Sequence, residues 1–150
     1  MKKSVLNRIV SELLSRSGSG VAVKMESYFP GGRLIGGKYA MNTHSVTMYT
    51  EVIKQQCLQL FGSLEPVYDY FAVVFAHELG HAADLSLGKL CDEMENTADE
   101  RKRKEIALQI EENAWNNAMP WMLDVDPAFI NVIIDRSLEA YREVLAPVTA

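Results

Sequence analysis

"VYDYFAVVFAHELGHAADLS", Val67 to Ser86, is the stretch on which the fold turns. Phe71, Val73, Val74, Phe75 and Ala76 make it apolar on every side, which is the mark of a helix buried in a core. Pro66 suits a first helical turn and Gly88 offers a stop, so the spacing predicts a helix from Pro66 to about Leu87. Inside it lies His77-Glu78-Leu79-Gly80-His81. At 3.6 residues per turn the two histidines stand one turn apart on one face, where both imidazoles can bind one Zn²⁺. Glu78, about 100° further round, can reach a metal-bound water without being a ligand and take its proton. Two histidines in a buried helix without a partner are costly, which favours the metal over coincidence. Gly80 leaves room for a neighbouring segment to press on the helix.

Outward from this helix the periodicity changes twice. Val5, Ile9, Leu13 and Leu14 share a helical face over residues 2–15, and "SGSG" ends that run. Val21, Val23, Met25 and Ser27 alternate as a half-buried strand, "PGG" at 30–32 is a turn, and 34–39 and 45–49 read as two more strands separated by "MNTH". The expectation is a small antiparallel sheet of three strands. Val52, Ile53, Gln56, Cys57, Leu60 and Phe61 return to helical spacing. Further on, Thr97 with Glu100 forms a capping box that starts a helix from about Ala98 to Met119. A last helix runs from about Pro127 to Leu145. Helix, small sheet, then several helices is an α+β order within a single domain over 1–150.

With 48% apolar and 23% charged residues in 150, the chain has the make-up of a soluble globular protein. A net charge of −5 argues against a broad basic face for nucleic acid. "DERKRKE", 99–105, reads as a solvated first helical turn. No apolar run approaches the roughly 18 residues of a membrane span. The first 20 residues have the lysines of a signal peptide but not its unbroken apolar centre, so an amphipathic helix is expected. Cys57 and Cys91 are too few for a disulfide framework, and free thiols fit a cytoplasmic protein.

A catalytic zinc usually takes three protein ligands and keeps one open position. No histidine follows His81, so the third ligand is a carboxylate or the upstream His44. On the helix from Ala98, Glu111 shares its face, within about 60°, with Ala107, Leu108, Ala114, Trp115 and Ala118. Glu112 shares its face with Glu105, Gln109 and Asn116. Glu111 is therefore the expected ligand, facing the core, and Glu112 faces water. Asp84, seven residues after His77, is read as orienting a ligand imidazole or as a ligand in place of Glu111. His44, Tyr39 and Tyr49 are candidates to stabilise an oxyanion. Trp115 and Trp121 are expected to pack.

"HELGH" followed some thirty residues later by "EENAW" resembles the zincin metallopeptidases of the glutamate-ligand branch, and within it the compact ImmA/IrrE-type enzymes. Their pattern E-x-x-A-N-x-F-A is met at Glu111, Ala114 and Ala118. It is not met at Trp115, where Asn or Asp is usual, nor at Asn117, where an aromatic is usual. The resemblance implies His77, His81 and Glu111 as zinc ligands and Glu78 as base. It also implies peptide-bond hydrolysis on a peptide or protein partner, often a transcriptional repressor, with no direct contact to nucleic acid or membrane. The alternatives are a metal-binding domain that acts by binding a partner without efficient turnover, and a zinc-free helical scaffold.

Overall fold

The computed structural model describes residues 1–146. The chain is α+β in the order α1 (Lys3–Ser17), β1 (Ala22–Glu26), β2 (Gly37–Ala40), β3 (Ser45–Tyr49), α2 (Thr50–Phe61), α3 (Val67–Ala82), α4 (Leu87–Asn96), α5 (Glu100–Ala118) and α6 (Pro127–Leu145). A 3₁₀ turn, Met119–Trp121, joins the last two helices. Among the described residues no helix is long and apolar enough to cross a membrane.

α3 is the centre of the fold. Phe71, Val73, Phe75, Ala76 and Leu79 are fully buried, so this helix meets neighbours on all sides. It packs most extensively on α5, with α1, α2 and the sheet covering other faces. α1 turns away from it at Gly18, whose φ of 67° is the left-handed C-cap that glycine adopts without strain. α6 begins with an Asp126 side chain accepting from the Ala128 N–H, with Pro127 in its first turn. Such a cap is worth about 1 kcal/mol, and it fixes where α6 starts beside α5.

The sheet departs from the antiparallel expectation. Its order is β1-β3-β2, with β1 parallel to β3 and β2 antiparallel to it. The four-residue turn 41–44 forces β2 and β3 into a hairpin. The segment 27–36, by contrast, is long enough to carry the chain to either edge of β3. Alternation specifies which face a strand buries, not which neighbour it chooses. β2 also starts three residues later than expected, at Gly37.

The helices after the histidines differ too. α3 ends at Ala82, because Asp84 Oδ1 accepts from the Ser86 N–H and hydroxyl and turns the chain. Gly88 is not a stop but lies in the first turn of α4, a helix absent from the sequence reading. α4 buries Leu87 against Ile106 and Ile110 of α5. The cap of α5 is Asp99, which accepts from the Arg101 and Lys102 N–H groups. The Thr97 hydroxyl accepts from the Asp99 N–H instead of opening the helix.

Candidate metal centre

His77 and His81 leave the same face of α3 with ring centroids 4.6 Å apart. The Nε2 atoms of both rings point to one oxygen of Glu111 on α5, at 2.9 Å from His77 and 3.1 Å from His81. Four ligands held tetrahedrally about 2.0–2.1 Å from a zinc ion stand about 3.3 Å from one another. The two nitrogen-to-oxygen distances are thus a few tenths of an ångström shorter than a metal requires, and the donor set (two imidazoles and a carboxylate) is of the type zinc takes. Small side-chain rotations open the gap, so the residues fit the ion.

Glu78 is the second carboxylate at the site, and it is buried at 7% exposure. Its Oε1 lies 3.4 Å from His77 Nδ1, and one donor atom each from His77, Glu78 and His81 falls within 4.8 Å of the others. Glu111 is the carboxylate that both imidazoles share through Nε2, whereas Glu78 approaches the opposite nitrogen of His77 alone. Glu111 and Glu112 are both partly exposed, so it is contact with the imidazoles that separates them, not burial.

Two close approaches of backbone hold this arrangement. A Cβ at Gly80 would fall on the Ala114 carbonyl oxygen and 2.8 Å from its carbon, so α3 and α5 touch main chain to main chain. Glu111 lies one turn before Ala114, and the contact sets how far it stands from the histidines. Asn117 adds a hydrogen bond to the Gly80 carbonyl at 3.0 Å. On the other side, a Cβ at Gly37 would meet Met48 Sδ at 2.9 Å and Glu78 Cγ at 3.0 Å, so the start of β2 lies directly over the Glu78 side chain.

Trp115 does more than fill the core. Its ring stacks on His77 at 4.2 Å and 26°, and its Nε1 donates to Ser137 Oγ on α6. The stacking fixes the plane of the imidazole. Trp121 packs at the core margin, and its carbonyl accepts from Arg16.

Four candidates, Asp84, His44, Tyr39 and Tyr49, lie elsewhere. Asp84 bonds Ser86 and accepts from Asn113 of α5, so it orients the α3–α4 turn rather than an imidazole. His44 sits in the β2–β3 turn with φ 47°, its Nδ1 2.8 Å from the Tyr39 hydroxyl. Tyr49 is buried edge-on to Phe29. A cleft of about 380 Å³ opens over His77 and Glu78, and none of His44, Tyr39 or Tyr49 lines it. Gly37, Trp115, Ser137 and Asn117 were missed as site residues. The one sequence signal for any of them was the Gly36-Gly37 pair opening a strand, a mark of close backbone approach.

Burial disfavours the His77 imidazolium, yet hydrogen bonds to Glu111 and Glu78 and their charges outweigh it and raise its pKa from 6.5 to about 9. Burial also disfavours the Glu111 carboxylate, but hydrogen bonds from His77 and His81 hold it well below its usual range. The raised His77 value adds stability to the metal-free protein that is complete below about pH 6.5 and lost as pH rises through about 9. Zinc competes with that proton. The Tm difference between zinc-loaded and chelated protein is expected to widen from about pH 6.5 to about pH 9. A narrowing difference over that range contradicts the ligand assignment.

No protein-family model matches this chain, and no curated protein or solved structure is significantly similar to it.

Proposed function

We infer that the protein is a zinc-dependent peptidase. One observation carries the reading: His77 Nε2, His81 Nε2 and Glu111 Oε2 converge while a further buried carboxylate, Glu78, stands beside them at the floor of a cleft. Two carboxylates and two imidazoles gathered in a buried spot are expensive for a fold that needs only a core, and such clusters belong to functional sites.

His77, His81 and Glu111 would hold the zinc, which when bound would supply Lewis acidity to a peptide carbonyl and to water. Glu78 takes the proton of the attacking water and passes it to the leaving amine. Trp115 keeps the His77 ring from turning, and Ser137 keeps Trp115 in place. β2 is the edge strand nearest this site. Because the Tyr49 N–H bonds the Gly36 carbonyl, the register makes 38–47 and 40–45 the hydrogen-bonded pairs, and Gly37 and Tyr39 turn their N–H and C=O groups to the free edge. An extended substrate can add there as a further strand, with its backbone passing Glu78.

The partner is a peptide or protein segment. The likeness of "HELGH…EENAW" to ImmA/IrrE-type enzymes makes a transcriptional repressor the first one to try. A cytoplasmic setting agrees with two free cysteines. The test is hydrolysis of unfolded casein and a mixed peptide library by zinc-loaded protein. Activity is expected to vanish with 1,10-phenanthroline and to return on adding about one equivalent of zinc. Cleavage that persists through chelation, or no cleavage of any substrate, defeats the reading.

A further inference from the structure

The cleft over Glu78 reaches across to α6, and its charges are sparse. Among the residues lining it, Glu78 is the one carboxylate and Arg136 the one arginine or lysine. On its outer side Arg136 shares a second groove with Asp135, Glu139, Arg142 and Glu143. Asp135, beside Arg136 in sequence, pairs with Arg142 at 3.6 Å, and Glu139 shares the outer face of α6 with Arg136 without forming an ion pair. Arg136 itself makes no ion pair among the described residues. Arg136 is exposed and borders both this cleft and the outer face of α6. Burial pushes the Tyr70 phenol up, and the Arg136 charge pulls it partly back.

On the cleft side, Ser137 and Gln59 line the wall with Arg136 and can donate. Ser137 Oγ accepts from Trp115 Nε1, which leaves its own O–H to donate. Gln59 lines the cleft with no internal hydrogen bond among those described, whereas Gln56 is tied at both ends, to the Leu34 carbonyl and the Tyr70 hydroxyl. A planar guanidinium in a cleft that also offers a hydroxyl and an amide is matched by a carboxylate, which accepts in a bidentate manner. In a protein of net charge −5, an unpaired cation in a cleft is also where an acidic segment would be drawn.

We propose that Arg136 at the α6 end of the cleft binds a carboxylate of the substrate, so the protein selects peptides carrying a negative charge near the bond that lies over Glu78. This rests on the peptidase reading for the word substrate, but the binding does not. The carboxylate is a Glu or Asp side chain or the free end of a peptide, and both present the same chemistry.

The test uses zinc-loaded Glu78→Gln protein, which does not turn over, and calorimetric titration with short alanine peptides. One set is blocked at both ends and carries Glu, Gln or Lys at one position. The other compares a free C-terminal carboxylate with its amide. One of the two carboxylates is expected to tighten binding about tenfold over its neutral match, and which one does so identifies the source. Adding Arg136→Gln is expected to erase that gap, and Arg136→Lys to retain part of it. Equal binding of charged and neutral peptides, a gap that survives Arg136→Gln, or no binding at millimolar concentration overturns the proposal. Wild-type protein that cleaves nothing, yet keeps the gap, defeats the peptidase reading alone. Cleavage without preference for a carboxylate defeats the Arg136 assignment alone.

Discussion

Glu78→Gln is expected to keep zinc and fold while lowering kcat/KM by about 10²–10⁴-fold, the usual share of a general base. The amide has the shape of the carboxylate and leaves the contact with Gly37 unchanged, but it cannot take a proton from water. Glu78 is not the carboxylate shared by the two Nε2 atoms, so zinc content should not fall. Matched measurements of zinc stoichiometry, thermal unfolding and peptide hydrolysis check this. A variant with unreduced turnover removes Glu78 as base, and one that also loses its zinc makes Glu78 a ligand.

Gly80→Ala is expected to destabilise the protein by about 2 kcal/mol or more, a Tm fall of roughly 6 °C at this chain length. The sign is what makes the prediction sharp. In an ordinary helix interior the same change gains about 1 kcal/mol, because glycine loses more chain entropy on folding. Here the new methyl lands on the Ala114 carbonyl, and main chain cannot rotate aside as a side chain can. α3 and α5 must part, which draws Glu111 from the histidines, so zinc affinity falls together with Tm. A stabilised or neutral variant means the two helices do not meet at this point.

Much of the fold was legible because single residues decide it locally. The all-round apolar run before His77 announces a buried helix, "SGSG" at 17–20 marks a helix end, and the switch from alternation to helical spacing after Thr50 separates sheet from helices. The parallel pairing of β1 with β3 was not legible, since no residue in β1 specifies its neighbour or its direction. α4 was hidden because "DLSLGK" reads as a helix end, while the Asp84 turn ends one helix and starts the next. Leu85, fully exposed, is where the apolar period breaks.

At the site, spacing singled out His77, Glu78, His81 and Glu111 because the helix converts sequence distance into facing direction. The same logic failed for Asp84, which lies beyond the last turn of α3 and points to Ser86 and Asn113. His44 was a candidate only by its residue type. Trp115, Ser137 and Arg136 act through the way α6 packs on α5 and the cleft, and a helix-to-helix contact leaves no mark in the spacing of either helix alone.

Zinc affinity of wild type, Glu111→Ala and Asp84→Ala, measured by competition with a chelating dye, tests the convergence of ligands most directly. Wild type should bind one ion per chain. Glu111→Ala should lose more than the roughly 10–100-fold typical of removing a residue that merely orients a ligand, and Asp84→Ala should lose less than that. A wild-type chain that takes up no zinc, or a Glu111→Ala chain that binds it undiminished, contradicts the shared site.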